Sequence, residues 1–143
     1  MKFYFSAVST TLFLSAVFSA HPASAAEEPT FTLKACSETT SEINKNLPMA
    51  IDSFTTLETT FCTAGQGKPT INYRAVMGAP KDKLNDIKNG LPKMRSQQLS
   101  SWCTDPEQVK VIRVADIKTI YYDINRVYVG EIDMRFADCK STK

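Results

Sequence analysis

Histidine is almost absent from this 143-residue sequence, and the single one, His21, falls in a segment the protein is expected to lose. Without an imidazole there is no Ser-His-Asp or Cys-His nucleophile arrangement and no HExxH zinc site. A mixed Cys/His structural zinc site is excluded as well. No C-x-x-C pair occurs, which removes the spacing of a thioredoxin-like redox centre or a structural zinc site. No S-x-x-K follows the amino-terminal segment, so a serine-lysine dyad has no local signature. The chain also lacks a Walker loop and a G-x-G-x-x-G turn, which leaves nucleotide binding without support. No cofactor and no metal are expected. Basic and acidic residues nearly balance, 17 against 15, and basic residues are not interleaved with aromatics as in nucleic-acid binders.

What is present begins with a leader. Met1-Lys2 is a short basic start, Phe3 to Ala20 is mostly apolar, and Ala23-Ser24-Ala25 has the small-x-small pattern that signal peptidase cuts after. Residues 1–26 are read as a cleaved signal peptide, the mature protein beginning at Ala26 or Glu27. An uncleaved anchor is the competing reading, because the apolar run approaches the roughly 18 residues of a spanning helix. Ser6, Ser9, Thr10, Thr11 and Ser15 dilute the run, and no basic cluster follows it. A lipidated cysteine would have to be the first mature residue, and the nearest, Cys36, lies well beyond the cut. The expected location is the periplasm or the external medium, with no stable membrane insertion after cleavage.

Residues 27–143 are long enough for one core and carry no repeat or low-complexity run, which predicts a single domain. Removal of Lys2 leaves 16 basic and 15 acidic residues, unevenly placed. Residues 27–67 sum to −4 and residues 68–113 to +5. Such a basic region is able to steer an acidic protein or touch anionic lipid, although solvated surface charge is the plainer reading.

Four cysteines, Cys36, Cys62, Cys103 and Cys139, in an exported domain point to two disulfides. Three connectivities are open. The preferred pairing joins Cys36 to Cys62 and Cys103 to Cys139, because it closes the shorter loops in chain order.

The period of the apolar residues predicts helix, two strands, helix, short helix, two strands. Thr39-Thr40-Ser41-Glu42 has capping-box spacing and predicts a helix over 37–46. Phe54 to Cys62 alternates Leu57, Thr59 and Phe61 against Thr56, Glu58 and Thr60, and Ile71, Tyr73, Ala75 and Met77 alternate again. A hairpin with a long loop, Thr63 to Pro69, joins these two strands. Leu84, Ile87, Leu91, Met94, Leu99 and Trp102 share a helical face, with a break expected at Asn89-Gly90-Leu91-Pro92. Thr104-Asp105-Pro106-Glu107 starts a short helix over 106–113. Ile117 to Asn125 and Val127 to Phe136 form a second hairpin whose last strand brings Cys139 towards Cys103. The expected fold is α+β: a four-stranded antiparallel sheet of two hairpins with helices on one face. Its other face is either polar or a docking surface.

Three features carry candidate function. Tyr73, Tyr121, Tyr122 and Tyr128 form the densest aromatic region, and tyrosine beside arginine is common at the centre of protein interfaces. Tyr121 and Tyr122 point to opposite faces of their strand, so one is displayed when the other is buried. The candidate interface residues are Arg74, Tyr122 and Arg126, together with Gln66 and Lys68 of the glycine-rich loop, which projects from a hairpin. Trp102 reads as core. Glu131 and Asp133 lie on one side of a strand, roughly 7 Å apart, and are the only carboxylate pair considered for glycosidase-type acid and base work. The same alternation describes any half-buried strand.

Asn46-Leu47-Pro48, Asp52, Thr55 or Thr56, Leu57, Tyr73, Cys103-Thr104-Asp105-Pro106, Tyr121-Tyr122-Asp123 and Asp138-Cys139 together resemble a group of small exported bacterial proteins of mostly unknown function. In that group the C-x-x-P cysteine and the last cysteine recur together, which implies the pairing Cys103 to Cys139. Secretion-system pilotins, with a helix-covered sheet and a disulfide, are similar at the level of fold; this chain differs from them in having no lipidated cysteine. The resemblance implies no catalytic residue. The function expected is that of a non-enzymatic interaction protein with an unidentified protein partner, either an accessory part of an envelope or secretion assembly or an inhibitor or immunity protein. The alternative is a small cell-wall hydrolase using Glu131 and Asp133.

Overall fold

Thr32, five residues before the expected start, caps the first helix: its hydroxyl accepts from the Ala35 N–H at 3.1 Å. The computed structural model describes residues 30–141, so the expected leader and its cleavage site lie outside the described residues. The helix α1 spans Leu33–Asn44. Thr39 and Thr40 do not cap it. Their hydroxyls donate back to the carbonyls of Ala35 and Ser37, so the capping-box residues sit inside the helix.

The chain continues as β1 (Met49–Ala50), β2 (Thr55–Thr63), β3 (Thr70–Met77), α2 (Lys81–Thr104), α3 (Pro106–Val114), β4 (Asp116–Asp123), β5 (Tyr128–Met134) and a closing 3-10 helix over Phe136–Ser141. The strands form one five-stranded sheet in the order β1-β2-β3-β4-β5. All neighbours are antiparallel except β3 and β4, which run parallel from Thr70↔Asp116 to Met77↔Asp123. The sheet is therefore mixed and five-stranded, not the four-stranded antiparallel sheet expected.

The parallel pairing follows from α2, which does not break at Pro92. Two half-helices would have carried the chain down and back, leaving β4 antiparallel to β3. An unbroken helix of 24 residues is about 36 Å long and delivers the chain to the far end of the sheet, where only a parallel strand can follow. Pro92 is exposed, while Leu91 and Leu99 are buried and Leu84, Ile87, Met94 and Trp102 pack against the core. Burial on both flanks of the proline outweighs one missing backbone hydrogen bond. Where α2 crosses β5, Gly130 leaves room for it: a methyl group there would collide with the Leu91 side chain.

The remaining local signals operate as read. Asp105 caps α3, its Oδ1 accepting from Glu107 and Gln108 at 2.9 and 3.0 Å, with Pro106 in the first turn. The β4–β5 turn is closed by Asp123, whose Oδ1 accepts from Asn125 and Val127, and Arg126 takes the left-handed conformation there, φ 67°. The short strand β1 was not anticipated. Asp52 builds its turn, accepting from Phe54 and Thr55, both at 2.7 Å.

Ile71, Ala75 and Met77 of β3, Ile117 and Tyr121 of β4, and Ile132 and Met134 of β5 point to one face, against Leu91, Leu99, Ile112 and Cys36 of the helices. Both disulfides brace that layer. Cys36–Cys62 ties α1 to β2, and Cys103–Cys139 ties the end of α2 to the 3-10 helix, with Cα atoms 5.9 and 5.4 Å apart. Loops of 26 and 36 residues correspond by chain entropy to about 3 to 4 kcal/mol each.

Asn44, the last residue of α1, seals the edge of β2. Its amide donates to the Thr60 carbonyl at 2.8 Å and its Oδ1 accepts from the Thr60 N–H at 2.7 Å, as a neighbouring strand would. Asn44→Ala should cost about 2 to 3 kcal/mol and unblock the edge. The expected outcome is a lower melting temperature together with concentration-dependent association in sedimentation.

Tyr73 gives a pH signature. Although part of its side chain is accessible, burial pushes the phenol up to about 12. The unfolded chain loses this proton near pH 10 and the folded one near 12, so the contribution is complete below pH 10 and lost between about pH 10 and 12. Thermal melts across that window should fall steeply for the wild type and less steeply for Tyr73→Phe, the difference amounting to at most about 3 kcal/mol.

Candidate functional site

With three helices over one side of the sheet, the alternate side chains of every strand point to a side that no helix covers. Register places them in rows. Phe61, Asn72, Lys118 and Asp133 cross the sheet in one row, Thr59, Arg74, Ile120 and Glu131 in the next, and Thr56, Val76, Tyr122 and Tyr128 in the third.

The third row and its neighbours hold the aromatic cluster. The Arg74 guanidinium carbon lies 4.4 Å from the centre of the Tyr122 ring, and Tyr128 meets that ring edge-on with centroids 6.2 Å apart. Arg126, in the β4–β5 turn, forms an ion pair with Glu58 of β2. Three of the sequence candidates, Arg74, Tyr122 and Arg126, are thus brought to this face and its rim. Tyr121 is the buried member of its pair and Tyr122 the displayed one, as the alternation requires.

Gln66 and Lys68 lie elsewhere, at the opposite end of the sheet. Gln66 is exposed. Lys68 is half-buried; it pairs with Asp116 at 3.0 Å and donates to the Ile112 carbonyl at 2.9 Å. Its geometry is that of a staple between the β2–β3 loop and the end of α3, where a cation also complements the helix dipole. A shallow groove runs between residues 30–33 and this loop. Lys68 is its only ionisable side chain, and that charge is already committed.

Glu131 and Asp133 share one ammonium: Lys118 Nζ lies 3.2 Å from a Glu131 oxygen and 3.4 Å from an Asp133 oxygen. The Glu131 hydrogen bond raises the Lys118 pKa above the usual lysine value, against a smaller opposing effect of burial. Among the described residues, no group of three His, Cys, Asp or Glu is placed to hold a metal ion, and no helix is long and apolar enough to cross a membrane.

Sequence reasoning missed Phe61, 40 % exposed on this face, and counted Tyr128, 54 % exposed, in the aromatic region without naming it as an interface residue. Strict alternation had placed Phe61 beside Leu57 in the core. A bulge between Leu57 and Thr59 shifts the phase, so Thr60 and Cys62 turn inward and Phe61 outward. Phe54, Ile124 and Val127 are also exposed, in the turns at the Tyr128 end of the sheet.

No protein-family model and no curated protein matches the chain in sequence. Two solved structures are similar in fold. One is a Pseudomonas aeruginosa protein inferred to be secreted, with a TM-score of 0.61 at 16 % identity over 80 % of this chain and 98 % of the other. The second is the pilotin of the Vibrio vulnificus type 2 secretion system, EpsS, with a TM-score of 0.51 at 9 % identity over 73 % of this chain and 87 % of the other. At these identities the likeness is one of fold, and it supports the distant fold similarity to pilotins.

The loop and the sheet face separate experimentally. Lys68→Ala should lower stability by about 1 to 2 kcal/mol, a charge-assisted hydrogen bond and a partly screened ion pair being lost together. Gln66→Ala should change it by less than about 0.5 kcal/mol. Denaturant titration of the two variants checks both.

Proposed function

We propose that this protein is a non-enzymatic binding protein that works outside the cytoplasm, exported by a leader over residues 1–26 and active as one domain over 27–143. The observation that carries the reading is the uncovered sheet face, where Phe61, Arg74, Tyr122 and Tyr128 are displayed on a rigid, doubly cross-linked scaffold. Tyrosine and arginine held in fixed positions contribute contact area at little entropic cost. Two disulfides suit an oxidising compartment, consistent with the periplasm or the exterior. Fold likeness to a secretion-system pilotin favours an accessory role in an envelope or secretion assembly. An inhibitor or immunity protein would use the same face.

The hydrolase alternative has less support. Glu131 and Asp133 are both engaged as counter-ions of Lys118, whereas an acid and base pair needs its two carboxyls in different protonation states.

Affinity capture from an envelope extract of the native host tests the proposal. The oxidised protein should retain a discrete partner that the reduced and alkylated protein loses. Tyr128→Ala should weaken that binding at least tenfold, equivalent to about 1.4 kcal/mol, and Gln66→Ala should leave it unchanged. A partner indifferent to the sheet-face variants, or peptidoglycan turnover by the wild type that Glu131→Gln abolishes, would overturn the reading.

A further inference from the structure

Among the described residues, three cations lie on the strands of the uncovered face or in the β4–β5 turn at its rim, and two of them face carboxylates. Arg126 is paired with Glu58, and Lys118 is held by both Glu131 and Asp133. The third, Arg74, lies on β3, the middle strand of the five, and has no carboxylate within ion-pair distance and no hydrogen bond among the described residues. Its Nε is sealed from solvent without an acceptor, which leaves the two terminal nitrogens to present the charge outward. Stacking on Tyr122 fixes the plane of the guanidinium, and Tyr128 in turn holds that ring edge-on. A guanidinium that is partly desolvated, oriented and without an anion has already met most of the cost of binding one.

We propose that Arg74 is the anchor for a carboxylate of the partner polypeptide: an aspartate or glutamate side chain of the partner docks end-on against Nη1 and Nη2, between Phe61 and Tyr128. This inference rests on the reading of the sheet face as the docking surface and specifies the chemistry of what docks there. Charge complementarity selects the acidic residue. A lysine or arginine from the partner would meet Arg74 as a like charge, and Glu58 is already paired with Arg126. A planar, two-oxygen acceptor fits the forked geometry of the guanidinium. Thr59 and Ile120, which flank Arg74 in register, and Val76 farther along β3 carry no charge, and Glu131, beyond Ile120 in the same row, is held by Lys118. Substitution by lysine retains the charge but loses both the fork and the stacking, which makes Arg74→Lys an informative variant rather than a conservative one.

The test follows the Nε–Hε resonance of Arg74 in the oxidised, 15N-labelled protein while capped tetraglutamate is added, with capped tetraglutamine and inorganic phosphate at matched ionic strength as comparisons. Tetraglutamate should shift this resonance and the Tyr122 and Tyr128 ring signals saturably. Arg74→Lys and Arg74→Gln, each confirmed as folded by an unchanged amide spectrum away from β3, should weaken the response of the tyrosine rings at least tenfold. A response to tetraglutamine or phosphate equal to that of tetraglutamate, or tyrosine shifts that persist in both variants, overturns the carboxylate anchor. The captured partner separates this failure from failure of the docking face. If Tyr128→Ala weakens the partner and Arg74→Gln does not, the anchor is wrong and the face stands; if neither matters, both are wrong.

Discussion

The unbroken packing of α2 across the sheet is the constraint from which the rest of the architecture follows. Because Leu84, Ile87, Leu91, Met94, Leu99 and Trp102 all meet the core from one helix face, the helix runs through Pro92 and spans the length of the strands. That path forces β4 to lie parallel to β3. It also commits α2, α3 and α1 to the same side, since the buried residues of the three helices and the strands form one cluster. A sheet buried on one side only must leave the other to solvent or to a partner. The exposed face with its arginine and tyrosines is therefore a consequence of how the helix layer is built, not an independent feature.

The edges of that sheet are closed by side chains, which directs attention to the face. On one side Asn44 satisfies both backbone groups of Thr60. On the other, Arg95 donates through Nε to the Asp133 carbonyl at 2.7 Å and holds Asp138 through Nη2, also at 2.7 Å. The Cys103–Cys139 bridge anchors the chain just beyond that contact. Both strand margins thus carry devices that hinder the addition of another strand. A partner that approaches this domain meets the flat, side-chain-rich surface more readily than the backbone of an edge.

Much of this was legible in the sequence where the signal is local. Asp105-Pro106 announced α3, Asn125-Arg126 announced a turn, and the alternation about Tyr121-Tyr122 separated core from display. The cysteine spacing favoured the two bridges that are observed. What local signals could not carry was the competition between them and tertiary burial. Pro92 is a helix breaker by its own chemistry, yet its context overrides it. The β1 strand is two residues long and depends on an Asp52 turn that has no periodicity to detect. Lys68 read as a projecting loop charge because nothing in its neighbourhood revealed Asp116, far along the chain, as its partner. Of the candidate interface residues, the three that the structure gathers are those tied to the strands, Arg74 and Tyr122 by periodicity and Arg126 by the turn between β4 and β5, and the two that lie elsewhere were placed by loop composition.

The bulge at Glu58 joins fold and candidate site most directly. With regular alternation from Leu57, Thr59 and Phe61 would face the helices and Cys62 would face away. A one-residue slip reverses every side chain beyond it. The slip is required by the Cys36 disulfide, because Cys36 is buried on the inward side of α1 and only an inward Cys62 can reach it. The same slip turns Thr60 inward, where its hydroxyl donates to the Thr40 carbonyl at 3.1 Å and Asn44 engages its backbone. Phe61 is the residue displaced outward in exchange. Its 40 % exposure is thus coupled to the bond that secures α1, and the face gains an aromatic side chain for the same structural reason that the opposite layer gains a covalent brace. A hydrophobic residue exposed by such a constraint carries no functional meaning alone; beside an oriented and uncompensated Arg74, it completes a surface on which an acidic partner residue would be bordered by aromatic rings.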